Sequence, residues 1–195
     1  MRIQTFISSM VGVVAAAAVA GSANASLTLD QANAPSSTGY IGSSQNFVQQ
    51  QVTVGLTGKL AGFEVMPYAQ EDLQNYSFFI AAGTAWNTSE HLFDLTGFSS
   101  LNNAANAWVF IDTSAANINF NAGDTFVIGW ASGEGKLAAS SNTYSGGGFW
   151  SNNRGTTKNL LDVGFQTYVG SAVPAPGAAA LIGLAGLVAT RRRRN

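Results

Sequence analysis

The sequence predicts an all-β fold: one antiparallel β-sandwich or jelly-roll domain, flanked by an N-terminal signal peptide and a C-terminal transmembrane helix. Three observations carry this. Between Ser26 and Ser171, short apolar runs alternate with turns rich in Gly, Ser, Asn and Thr. No long stretch in that interval repeats with helical period. The crossover helices that a parallel sheet requires are missing, which leaves antiparallel layers.

The first element is the leader. Arg2 supplies a positive n-region, an uncharged apolar stretch runs from Phe6 to Ala20, and Ala23-Asn24-Ala25 has the small-x-small pattern of a signal-peptidase site. The predicted cut falls after Ala25, so residues 1–25 form the signal peptide and Ser26 opens the mature chain. Export of this kind calls on the Sec machinery and signal peptidase.

The domain follows, over residues 26–171. Ser26 to Ser44 reads as an irregular lead-in. Phe47 to Val54 reads as a strand with Val48, Val52 and Val54 on one face. Gly55-Leu56-Thr57-Gly58 reads as a hairpin turn into a second strand, Lys59 to Met66. Tyr76–Ala81, Ala107–Asp112 and Asp124–Trp130 are further strands, and Leu161–Val169 is the last. Asn121-Ala122-Gly123 is a turn. Short helices are allowed near Asp72 and over Asn102–Asn106, neither with strong capping signals.

Charge is distributed unevenly. Lys59, Lys136, Arg154 and Lys158 are the four basic residues of the domain, and all ten acidic residues lie there, so its formal charge is −6. An acidic domain is poorly suited to nucleic acid, whose binding rests on neutralising phosphates with Lys and Arg. The absence of cysteine excludes disulfides, thiolate metal sites and a Cys nucleophile.

The tail occupies residues 172–195. Val173-Pro174-Ala175-Pro176 is stiff and extended because each proline fixes φ and biases its predecessor away from helix. The uncharged stretch Gly177–Thr190 would make a helix about 21 Å long, against a hydrocarbon core of about 30 Å. Including Ala172 and letting Arg191, Arg192, Arg193 and Arg194 snorkel brings it near spanning length. The positive-inside rule places those arginines in the cytoplasm and the domain outside.

This tail resembles the PEP-CTERM sorting signal, the substrate tail of exosortases in Gram-negative bacteria. The matching features are Pro174-Ala175-Pro176, the helix 177–190 and the cluster Arg191–Arg194, in that order. Ala175 stands where the name-giving pattern has Glu. The resemblance implies an exosortase-type processing enzyme as a partner, a membrane-held intermediate, and a final place at the cell surface or in an extracellular matrix. The domain is similar to the β-sandwich ectodomains that precede such tails, through pieces such as Leu56–Gly62, Ala122–Trp130 and Asp162–Val169.

Chemistry is sparse in the pattern. His91 is the sole histidine, in a polar stretch with no nucleophile elbow, so neither a Ser-His-Asp site nor a zinc site is indicated. Ten carboxylates admit a glycosidase pair without specifying one. The expectation is a non-enzymatic protein. No cofactor is expected; calcium at Asp30, Asp124 and Asp162 is the alternative, because pairing of the first and last strands would bring Asp30 and Asp162 together. Carbohydrate is the alternative ligand, stacked on exposed aromatics. Trp108 and Trp130 lie in apolar strands and read as core. Trp86 and Trp150 lie in polar loops, and Tyr144, Phe149, Trp150 and Arg154 share one Gly-rich segment. Its aromatics either fold back onto the sandwich edge or form, with Trp86, a surface for an envelope or matrix polysaccharide.

Overall fold

Alternation of apolar and polar residues builds three antiparallel sheets in the computed structural model, which describes residues 26–35, 39–42, 47–131, 133–141, 143–151, 156–158 and 161–170. All of these belong to one compact unit, Ala25–Val173. Ala23, Ala25, Arg154, the Pro-x-Pro step and the arginine cluster lie outside the described residues. Ser26 is the first described residue and is exposed.

The strands in chain order are β1 (Leu27–Asn33), β2 (Gly39–Gly42), β3 (Val48–Thr53), β4 (Gly58–Val65), β5 (Leu73–Thr84), β6 (Asn87–Ser100) and β7 (Val109–Asp112). After a 3-10 turn at Ser114–Ala116 come β8 (Asn119–Phe120), β9 (Thr125–Trp130), β10 (Lys136–Ser141), β11 (Phe149–Ser151), β12 (Thr156–Lys158), β13 (Leu161–Val163) and β14 (Phe165–Gly170). A five-stranded sheet has the order β1-β14-β4-β7, with β8 also on β4. A six-stranded sheet has the order β12-β11-β3-β9-β5-β6, and a three-stranded sheet β13-β10-β2.

The five- and six-stranded sheets face each other across the core. Phe63 of β4 meets Phe78 of β5 edge to face at 5.8 Å, and Phe120 of β8 stacks on Phe126 of β9 at 4.9 Å. Ile41, Leu137, Ala139 and Val163 bring the small sheet into the same core. Full burial of side chains of this size contributes about 1.5–3 kcal/mol each.

The predicted face of β3 is present: Val48, Val52 and Val54 are all buried. Gln50 lies on that face too. It is tolerated because its amide is fully used, Nε2 donating to Asp162 Oδ1 (3.1 Å) and Oε1 accepting from Val163 N (3.0 Å).

Four expectations are corrected. Residues 27–33 are a strand, not a lead-in, and pair with β14. Gly55–Gly58 is no hairpin: β3 pairs with β9 and β11, whereas β4 pairs with β14, β7 and β8. The link carries the chain between sheets, and Asp30 Oδ1 accepts from Gly55 N and Leu56 N to hold it. Leu161–Val169 is two strands, divided at the buried Gly164, where the chain passes from the small sheet to the five-stranded one. Residues near Asp72 and over 102–106 are not helical. The longest strand, β6, was not anticipated; it lies at a sheet edge, and its mostly exposed residues mute the alternation. Register shifts along its pairing with β5 twist that edge, a protection against pairing with other chains.

Candidate functional site

The site lies on the outer face of the six-stranded sheet. Directly paired residues in antiparallel strands point to the same face. Trp150 (β11), Gln49 (β3), Gly129 (β9), Phe79 (β5) and Asp94 (β6) form one such row. At about 4.8 Å per strand, Phe79 and Trp150 start some 14 Å apart. Gly129 lets the gap close: a Cβ there would fall 1.9 Å from the Phe79 ring, so the ring lies flat over the glycine.

Rings then continue across the sheet. Phe47 stacks on Phe79 at 5.3 Å and meets Trp150 edge-on at 5.9 Å. His91 stacks on the other ring of this pair, Phe79, at 4.1 Å and 7° between planes. Its Nδ1 is 2.6 Å from Asp94 Oδ1. At the opposite end Trp86 stacks on Trp150 at 4.2 Å and 26°. The result is a strip of five rings: Trp86, Trp150, Phe47, Phe79, His91. Within it Phe79 and Trp150 are buried, each 3% exposed, and cluster with Ala81, Ala85 and Val127.

Trp86 is the most exposed of the five, at 66%, and His91 at the other end is exposed too. Trp86 occupies the two-residue turn between β5 and β6 with φ +74°, a region that a bulky L-residue rarely adopts. Two glutamines of β3 hold the turn in place. Gln49 Oε1 accepts from Trp86 N at 2.7 Å, and Gln51 Oε1 accepts from Ala85 N at 3.1 Å. In the run Gln49-Gln50-Gln51, the outer two amides therefore pin the turn while the middle one faces the core, as strand periodicity requires.

One buried polar atom of the strip has no partner among the described residues. Trp150 Nε1 is buried, and among the described residues nothing accepts its hydrogen. A buried donor left unsatisfied costs about 1–3 kcal/mol, and each such group calls for an explanation.

The sequence-predicted site residues are thus only partly brought together. Trp86 and Trp150 meet. Trp150 is not in a loop; it is the middle residue of β11, where docking against β3 sends alternate side chains to opposite faces. Phe149 accordingly points into the main core, 1% exposed. Tyr144 is buried as well, its ring edge-on to Phe165 at 5.0 Å. Thr53 N donates to the Tyr144 hydroxyl at 3.1 Å, and burial pushes that phenol's pKa up. The aromatics of this segment fold back onto the sandwich and leave Trp86 as the exposed indole of the pair. Trp130 is core, as expected, whereas Trp108 is half-buried.

The three aspartates each hold backbone. Asp162, fully buried, accepts from Gln50 Nε2 and, through Oδ2, from Thr143 N (2.8 Å) and Tyr144 N (2.9 Å). Asp30 holds the β3–β4 link as described. Asp124 Oδ2 accepts from Asn121 N at 2.7 Å, closing the turn before β9. Among the described residues no three His, Cys, Asp or Glu side chains converge as a metal site. Among the same residues no helix is long and apolar enough to cross a membrane.

Phe47, Phe79, Gln49 and His91 were missed as site residues. The one signal that pointed to them was Gly129 inside an apolar strand, since such a glycine often marks close approach of another group. No family model, curated protein or solved structure matches the chain.

Proposed function

We propose that this chain is an exported, non-enzymatic protein of the cell envelope or extracellular polysaccharide matrix, whose β domain acts by binding. Its destination rests on the order of segments: a leader ending at Ala25, an acidic all-β domain, then Pro174-Ala175-Pro176, an apolar stretch and Arg191–Arg194. In this reading the Sec machinery and signal peptidase handle the leader. The tail holds the chain in the inner membrane until an exosortase-type enzyme processes it. Calcium at Asp30, Asp124 or Asp162 is not needed for the reading, because each carboxylate already accepts backbone N–H bonds.

The observation that favours binding is Trp86, a large apolar ring held open to solvent on strained backbone and backed by a second indole. Exposed rings of this kind with amides close by suit sugars, so polysaccharide is the favoured ligand class. The test of destination is replacement of Arg191–Arg194 by Gln in the native host. The expected outcome is loss of surface delivery and a changed mature mass by mass spectrometry. Unchanged fractionation and mass would overturn the sorting reading.

A further inference from the structure

We propose that Trp86 is a lid over Trp150, and that a neutral pyranose unit of a polysaccharide enters between the two indoles, stacking on both while a ring substituent reaches past the edge of Trp150 and accepts a hydrogen bond from its in-plane Nε1–H. This rests on the polysaccharide reading above and assigns it a site and a mode of entry.

Three observations converge on that point. Trp150 is 97% buried yet carries a donor with no acceptor among the described residues. The ring stacked on it belongs to Trp86, whose other side is open to solvent. Trp86 sits on a turn, so rotation about its side-chain bonds uncovers Trp150 without moving a strand. The strip is held from two sides: Phe47 packs edge to face with Trp150, and Gln49 fixes the turn through Trp86 N.

The ligand class follows from the chemistry of the slot. Two aromatic faces suit a flat ring with C–H groups on both sides, and the waiting N–H suits a ring substituent that accepts a hydrogen bond. A pyranose has both. Among peptide aromatics only tyrosine and histidine add an acceptor to the flat faces, and neither carries C–H groups above and below its ring. The hydrogen-bonded pair His91 and Asp94 lies at the far end of the strip beyond Phe79, and the domain's formal charge of −6 repels anionic chains. Neutral polysaccharide is therefore the fitting partner.

The test uses the purified full-length chain with two neutral probes, cellohexaose and chitohexaose, and a galacturonate hexasaccharide as an anionic control. Calorimetry reads affinity, and circular dichroism reads the exciton couplet of the stacked indoles. The expected result is binding of at least one neutral probe, weaker or absent binding of the anion, and collapse of the couplet as the probe separates the rings. Trp150→Phe keeps a stacking face and deletes the donor; it should weaken binding about tenfold without lowering the melting temperature. Trp86→Gly suits the positive φ and should lose most binding, again without unfolding. Failure of both neutral probes to bind, a couplet that survives saturation, or wild-type affinity in Trp150→Phe would each overturn the lid. Binding by purified protein does not depend on sorting, so a chain that binds the hexasaccharide but is not delivered to the surface breaks only the destination reading. A surface-delivered chain that binds neither probe breaks only this one.

Discussion

On the outside of the six-stranded sheet Phe79 lies over Gly129; on the outside of the five-stranded sheet Phe110 lies over Gly62, where a Cβ would fall 2.4 Å from its ring. Both faces thus use a cross-strand glycine as a seat for an aromatic ring. They then diverge. Phe79 is flanked by Phe47 and His91, the rings run on to Trp150 and Trp86, and Phe79 is 3% exposed. Among the described residues the ring of Tyr168, at 5.9 Å, is the one that Phe110 meets, and Phe110 stays 39% exposed. Around it the face is polar: the Tyr168 hydroxyl donates to Glu64 Oε2 at 2.6 Å, with Gln166 Oε1 at the same distance. The same local motif yields a second small core on one face and an ordinary wet surface on the other. The difference comes from what neighbouring strands supply, above all the β5–β6 turn that brings Trp86 back over β11.

The sharpest way to break that comparison is truncation of the two phenylalanines. Phe79→Ala should cost about 3–5 kcal/mol in urea unfolding, as loss of a buried aromatic does, while Phe110→Ala should cost under about 1 kcal/mol. Equal losses would mean that the two faces are energetically alike.

A smaller effect is expected at the amides. Gln49→Leu leaves Trp86 N without its acceptor and should cost about 1–2 kcal/mol while weakening the indole couplet in circular dichroism. Gln166→Leu, its counterpart on the half-buried polar face, should stay within about 0.5 kcal/mol. A couplet unchanged in Gln49→Leu would show that the stack does not depend on the pinned turn.

The smallest effect concerns alkaline pH. Burial, and then the hydrogen bond to the Glu64 carboxylate and its negative charge, push the pKa of Tyr168 up to about 12. Its folded value lies above the unfolded value of about 10, so the neutral phenol favours the folded state. That contribution is fully present below pH ~10 and is lost as pH rises through about 12. Tyr168→Phe should therefore shallow the decline of stability across that window. A decline of undiminished slope would place the alkaline sensitivity wholly elsewhere, with the buried phenols Tyr76 and Tyr144, whose pKa values are also raised, as the groups to vary next.

Much of the fold was legible because strand periodicity is local. Val48, Val52 and Val54 had to share a face, and Asp124 to Trp130 had to be a strand. The site was far less legible. Gly55–Gly58 carries the residues of a hairpin turn, yet turn chemistry does not say which sheet receives the next strand. The sequence Gly146-Gly147-Gly148-Phe149-Trp150 reads as loop because its glycines mask a three-residue strand. β6 reads as polar because an edge strand exposes most of its residues. Trp86 was visible as an exposed tryptophan, but its partner was not.

The sequence by itself therefore determined the alternation of strands and turns, the acidity of the domain and its place between an apolar N-terminal stretch and an apolar stretch ending in Arg191–Arg194. Only the tertiary structure decided that Trp86 rests on Trp150, that Phe79 lies over Gly129 and that one indole N–H is buried without an acceptor among the described residues. The physical reason is that alternation is set by each residue and its chain neighbours, whereas these contacts depend on the pairing of β11, β3, β9 and β5, which join segments distant in sequence.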